Sequence, residues 1–160
     1  MAKAFDTVDH PLLLSKLATY GISGLSLEWF ASYLSGCTQR TVINGSSSQP
    51  LPIFAGVPQG SVLGPNLFSI HINSLHHVHT TVLFADDTTL YISGSSVSHI
   101  NSILYSALSK CNAWVSANKL SLTVQKTNVR SSILHVGISP LSFSLNGSTI
   151  KQVSTYTYLG

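Results

Sequence analysis

The sequence predicts an α+β fold, on three observations. Leu12, Leu13, Leu17 and Tyr20, and later Ile100, Ile103, Leu104, Ala107, Leu108, Cys111, Trp114 and Val115, recur by threes and fours, the spacing of amphipathic helices. Runs of β-formers, among them Thr81-Val82-Leu83-Phe84 and Thr88-Thr89-Leu90-Tyr91, read as strands. Glycine, proline and serine clusters separate the two kinds of segment. A chain of 160 residues has room for one core-bearing domain. With 44% hydrophobic and only 8% charged residues it should fold, and its low charge predicts surface that another chain or partner covers. Eight Lys and Arg against five acids give +3, compatible with a polyanionic partner but too small to identify one.

The elements follow in order. Pro11 suits the first turn of a helix that Gly21 ends. A second helix is expected from a Ser26 cap through Leu27, Trp29, Phe30, Tyr33 and Leu34 to Gly36. Residues 38–54 read as a β-hairpin, with Thr41-Val42-Ile43 and Leu51-Pro52-Ile53-Phe54 flanking a Gly45-Ser46-Ser47-Ser48 turn. Gly56-Val57-Pro58-Gln59-Gly60-Ser61-Val62-Leu63-Gly64-Pro65 then forms a loop that opens a helix at Pro65, striped by Phe68, Ile72 and Leu75. Glycines ahead of a helix let backbone approach a ligand closely and suit phosphate, although such loops are more often structural. His76, His77 and His79 read as a solvated connection. The long helix from Ile100 to Val115 is expected to cover a sheet face, followed by strand-like pieces at 133–136 and 141–145 and an Asn146-Gly147 hairpin turn.

The chemistry concentrates at Asp86-Asp87, adjacent acids at the tip of a hydrophobic hairpin. The other acids are Asp6, Asp9 and Glu28, so no other cluster exists. Two carboxylates so close repel unless a cation lies beside them, and a hard divalent ion such as Mg²⁺ takes oxygen ligands. The amino terminus has no apolar signal core, and no apolar run approaches the ~20 residues of a membrane helix. Cys37 and Cys111 have neither metal nor redox spacing. An intracellular setting, nuclear or cytoplasmic and not secreted, is therefore expected.

Four stretches fall in a specific order: Ala4-Phe5-Asp6, Gly56-Val57-Pro58-Gln59-Gly60, Phe84-Ala85-Asp86-Asp87, and Asn118-Lys119-Leu120 with Lys126-Thr127. This order resembles the reverse transcriptase domain of non-LTR (LINE-type) retrotransposons, over nearly the whole chain up to Tyr158-Leu159-Gly160. The resemblance implies one partial domain over 1–160, a right-hand polymerase palm of antiparallel strands backed by helices with part of the fingers and the start of a thumb-side strand. It implies RNA-directed DNA polymerase chemistry, two-metal nucleotidyl transfer with Mg²⁺ or Mn²⁺ on an RNA template, a DNA primer and deoxynucleoside triphosphates. Asp86 is then similar to the principal metal ligand and Asp87 to its neighbour. Phe5 corresponds to the aromatic that excludes a 2′ hydroxyl. Gln59 and Gly60 look like the loop against template and nucleotide, and Lys126 like the lysine that neutralises the leaving pyrophosphate.

The departures from the family pattern carry their own expectation. The pattern has a metal-binding aspartate three positions before Lys3, which falls ahead of Met1. Asp6 lies six residues further on, and a shift of that length along a strand cannot slide it into that place. Cys37 stands where Arg is usual, Ser74 where Asp follows Asn, and Thr123 where Asn is expected. A chain truncated at both ends, lacking upstream fingers and inactive by itself, follows. The alternative is a non-enzymatic retroelement remnant with at most residual nucleic-acid or metal binding. A metal-dependent nuclease ranks third, since it has no need of the Gly56–Gly60 loop.

Overall fold

The computed structural model describes residues 3–84, 87–130, 143–145 and 147–155. Among these residues it is a mixed α+β fold of four α-helices with small sheets. Helix α1 (His10–Thr19) starts on Asp9, whose carboxylate accepts from the Leu12 amide at 3.0 Å, with Pro11 in its first turn. Helix α2 spans Gly24–Leu34 and begins at Ser23, which is extended (φ −144°, ψ 173°) as an N-cap residue must be. The cap expected at Ser26 is thus corrected, because Ser26 already has a place in the first turn. Helix α3 (Leu63–Ile72) begins two residues before Pro65 and runs into a 3₁₀ turn at Asn73–His77. Helix α4 (Val97–Ala117) is capped by Ser96, whose hydroxyl accepts from the His99 amide at 3.2 Å.

The core joins α1, α3 and the end of α4. Leu13, Leu17, Leu67, Phe68, Ile72, Val115 and Leu120 are buried together with Ala4, Val8, Leu34 and Val57. A satellite cluster forms around Ile150, against which Leu104, Leu108, Leu122, Val124 and Val129 pack. Helix α4 therefore serves two cores, its Val115 end the main one and its Leu104-Leu108 turn the carboxyl-terminal strands. This agrees with a helix that covers a sheet face.

The sheets differ from the expected palm in two respects. Residues 38–54 do form a hairpin, with β1 (Thr38–Gln39) on β4 (Leu51–Pro52) and β2 (Val42–Ile43) on β3 (Ser46–Ser47). Its turn, however, is Asn44-Gly45, both at positive φ (48° and 80°), the backbone of a type I′ turn, and Ser46-Ser47 belong to a strand. Strands β5 (Thr81–Phe84) and β6 (Asp87–Leu90) pair antiparallel as read, by themselves among the described residues. The last sheet orders β7 (Asn128–Val129), β9 (Ser148–Gln152) and β8 (Phe143–Leu145), and β7 pairs with β9 in parallel. An all-antiparallel arrangement is thus corrected at that pair, which brings together segments too far apart in sequence for a tight turn. Strands β8 and β9 pair antiparallel with Leu145 opposite Ser148, and Gly147 has φ 78°, whereas Asn146 lies outside the described residues. The strand pieces read at 133–136 and at 156–160 lie outside the described residues.

Candidate active site

The amino-terminal motif forms no strand. Ala4–Thr7 is a 3₁₀ turn that buries Ala4, and Val8 beyond it is fully buried. The motif is then sewn to the glycine loop. The Gly56 amide donates to the Val8 carbonyl at 2.8 Å, the Val57 amide to the Phe5 carbonyl at 2.8 Å, and the His10 Nε2 lies 2.7 Å from the Gly56 carbonyl oxygen. Gly56 has φ +97°, and a Cβ there would stand 2.9 Å from the Asp6 carbonyl oxygen. Only glycine fits so close an approach. The amides of the loop that could have cradled phosphate are therefore spent on the protein at Gly56 and Val57, and the Gly64 amide is spent on the Ser61 hydroxyl at 2.9 Å. The loop's glycine is structural at Gly56.

Gln59 sits at the tip of a turn closed by the Ser61 amide on the Pro58 carbonyl (3.3 Å), with Gly60 at φ +80° in the third position, as a type II turn requires. From there the Gln59 Nε2 donates to the Asp6 Oδ1 at 2.7 Å. The Phe5-Asp6 and Gln59-Gly60 motifs, 53 residues apart at this bond, are thus in direct contact. Phe5 itself is half-buried and stacks on Phe68, with ring centroids 4.5 Å apart and planes 23° apart. One face of its ring is consequently occupied by the core.

Asp9 has two structural duties. Besides capping α1 it receives the Lys119 ammonium at 2.7 Å. That bond, the Leu12 amide and the nearby positive charges hold its carboxyl below the usual range, against a smaller opposing effect of burial. This pair ties the Asn118-Lys119-Leu120 motif to the start of α1. Replacing Asp9 with Ala should cost about 1 to 2 kcal/mol, most of it the lost cap, since a partly exposed ion pair contributes little. Urea unfolding of the two proteins checks this; an unchanged midpoint would refute it.

The acidic hairpin rests on the same core. Leu83 packs against it, whereas Val82 and Phe84 face outward. Asp87 pairs with Phe84 across the ladder, so it shares that outward face and is exposed. Asp86 lies outside the described residues. Lys119–Asp9 is the one ion pair among the described residues, which leaves Asp87 without a protein cation. Lys126 ends a 3₁₀ turn (Val124–Lys126) and is exposed, with no side-chain partner among the described residues. No group of three or more His, Cys, Asp or Glu among the described residues is arranged to hold a metal ion. The histidines of the connection are close to one another: the His76 and His77 rings lie 3.8 Å apart, His76 Nδ1 is bonded to the Asn73 carbonyl, and His79 Nδ1 accepts from the Thr80 amide at 2.8 Å. None of the described helices is long and apolar enough to cross a membrane.

Sequence reasoning passed over one cluster. Lys16, on α1, donates to the His71 carbonyl and to the Asn118 side-chain oxygen, and lies 5.0 Å over the Trp114 ring. Burial lowers the Lys16 pKa to about 8. The His71 ring is fully buried beneath it. His71 falls three residues after Phe68 and four after Leu67, on the apolar stripe of α3, and that spacing was the available signal.

The Gln59 turn is thus pinned to Asp6, and Phe5 and the 81–90 hairpin pack on one core. The chain belongs to the reverse transcriptase (RNA-dependent DNA polymerase) family, whose model matches residues 1–160. It is 32% identical, over 99% of its length, to the RNA-directed DNA polymerase from mobile element jockey of Drosophila melanogaster, and 30% identical, over its whole length, to the probable RNA-directed DNA polymerase from transposon BS of the same species. Over 46% of its length it is 34% identical to the retrovirus-related Pol polyprotein from type-1 retrotransposable element R2 of Popillia japonica. Its reverse transcriptase domain is thus of the non-LTR retrotransposon kind. The chain spans 18% and 19% of the length of the first two relatives.

Proposed function

We propose that this chain is the palm, with part of the fingers, of an RNA-directed DNA polymerase that copies an RNA template from a DNA primer. The Gln59–Asp6 bond carries this reading, because it brings two of the family's motifs into contact across 53 residues. Charge supports it: every acid lies at or before Asp87, while the rest of the chain holds Lys110, Lys119, Lys126, Arg130 and Lys151 and no acid. An acidic tip beside an acid-free, cationic half suits a metal-dependent enzyme with a polyanionic substrate.

In this reading Asp86 and Asp87 hold Mg²⁺ or Mn²⁺, which would neutralise charge on the nucleotide phosphates. The fit is chemical: Asp87 is exposed, with no cation paired to it among the described residues. Lys126 supplies a mobile ammonium for the leaving pyrophosphate, and Gln59 orients the nucleotide. Mn²⁺ titrated into labelled protein should broaden resonances around Asp86 and Asp87 first. Broadening centred on His76, His77 and His79, with Asp87 sharp, would sink the assignment.

Phe5 is the candidate gate against a 2′ hydroxyl. In a chain extended to carry an aspartate three positions before Lys3, Phe5→Val should reduce discrimination between deoxyribonucleotides and ribonucleotides by ~10-fold or more, the worth of one clash of about 1.4 kcal/mol. The same variant loses the Phe68 stack and about 1 kcal/mol of stability. Lost stability with unchanged discrimination would leave Phe5 a core aromatic only.

The second reading, a remnant without turnover, draws on the engagement of both amino-terminal acids. Asp6 is held by Gln59 and Asp9 by Lys119 and Leu12. Primer extension decides between the two readings.

A further inference from the structure

We infer that Asp6 is the positioning residue for Gln59, and that its charge reserves the Gln59 amide for a neutral hydrogen-bond donor of the nucleotide and keeps phosphate away. The inference rests on the reading of Gln59 as a nucleotide contact.

An unrestrained glutamine on a turn tip rotates freely and can present either its oxygen or its nitrogen. Here the Nε2 is committed to the Asp6 Oδ1 at 2.7 Å, a charge-assisted bond that fixes which end of the amide points where. Both ends of that bond are held. Asp6 sits in a 3₁₀ turn whose amide donates to the Lys3 carbonyl at 2.9 Å, and its backbone is pressed against Gly56. Gln59 sits in the Pro58–Ser61 turn. One Nε2 hydrogen is engaged and the other stays beside the same carboxylate, whereas the Gln59 carbonyl oxygen is left to accept, so a ligand on that side must bring a hydrogen. A sugar hydroxyl or a base N–H does so, whereas a phosphate oxygen brings only lone pairs and negative charge, and would meet the Asp6 carboxylate across the amide. No cation among the described residues pairs with Asp6 to offset that repulsion. Asp6 thereby has a use that explains an acid at this position without making it a metal ligand.

The experiment follows the side-chain amide resonances of Gln59 in ¹⁵N-labelled full chain. In the native protein these should be shifted from the free-amide position and sharp. In Asp6→Ala they should collapse to it, while Asp6→Asn, which keeps an acceptor oxygen without the charge, should retain part of the shift. An Asp6→Ala spectrum in which the Gln59 amide does not move, in a protein whose backbone resonances stay dispersed, would overturn the positioning role. Thymidine triphosphate with Mg²⁺ should then perturb the Gln59 amide, and inorganic tripolyphosphate with Mg²⁺ should not. Loss of the effect with the 3′-deoxy analogue assigns the donor to the sugar hydroxyl, and its persistence assigns it to the base; either is as expected. Equal perturbation by tripolyphosphate overturns the exclusion of phosphate. If neither ligand moves the amide although Asp6→Ala does, the nucleotide contact of Gln59 is refuted and the Asp6–Gln59 bond is a purely structural tie.

Discussion

Primer extension on an RNA template by the 160-residue chain should not exceed that of its Asp86→Ala, Asp87→Ala double variant, with either Mg²⁺ or Mn²⁺. Two-metal transfer needs carboxylates that grip the cations from more than one element, and Asp86 and Asp87 are neighbours in sequence. The remaining acids are engaged or remote. Asp6 is bound by the Gln59 amide at 2.7 Å, and Asp9 by the Lys119 ammonium at 2.7 Å while it caps α1. Releasing Asp9 would give up a helix cap and an ion pair together, and releasing Asp6 would free the Gln59 amide. Removing one such electrostatic group costs on the order of 10² to 10³ in rate. Appending a segment that places an aspartate three positions before Lys3 should restore extension by about that factor, provided the segment also holds the template. Extension by the unextended chain clearly above the double variant would mean that Asp6 or Asp9 leaves its partner to bind metal, and would overturn the argument.

Local physics made much of the fold legible. The Asp9-His10-Pro11 start of α1, the stripe of α4 and the alternation around Asp86-Asp87 are signals carried within a few residues, and the structure has elements at each. The Asn44-Gly45 signal is equally local, but the serine run beside it carries a competing turn signal, and the positive φ of both Asn44 and Gly45 decides between them. The misread parts are those decided by distant partners. Residues 4–7 carry no clear local signal, and Gly56 and Val57 bind the carbonyls of Val8 and Phe5 on either side of the 3₁₀ turn that forms there. The parallel pairing of β7 with β9 likewise joins segments that no local pattern pairs. At the candidate site the residue types were legible and their partnerships were not. Nothing near Asp6 in sequence announces Gln59, and nothing near Asp9 announces Lys119.

Acid should destabilise this protein through His71, in a window set by that one ring. His71 is fully buried on α3, and neither ring nitrogen has a well-formed hydrogen bond among the described residues. Burial is the main cause that lowers its pKa to about 4, helped by the Lys16 charge and opposed by the Asn118 backbone and, more distantly, Asp9. In the unfolded chain a histidine takes up its proton near pH 6.5. Between about pH 6.5 and 4 the unfolded state therefore binds a proton that the folded state refuses, and stability falls as the pH is lowered. Above pH 6.5 neither state is protonated, and below about pH 4 both are, so the loss is confined to that window. Its full size is about 3 kcal/mol. Lys16 sharpens the penalty, because its ammonium is held over the same helix turn by the His71 carbonyl and Asn118, so that a protonated ring would face a like charge. Replacing His71 with Leu, a residue of similar bulk with no proton to gain, should flatten the profile through this window while Lys16 keeps its partners. Urea midpoints at pH 7.5, 5.5 and 4.5 for both proteins measure it. A variant that loses stability as steeply as the native chain through this window would refute the assignment to His71.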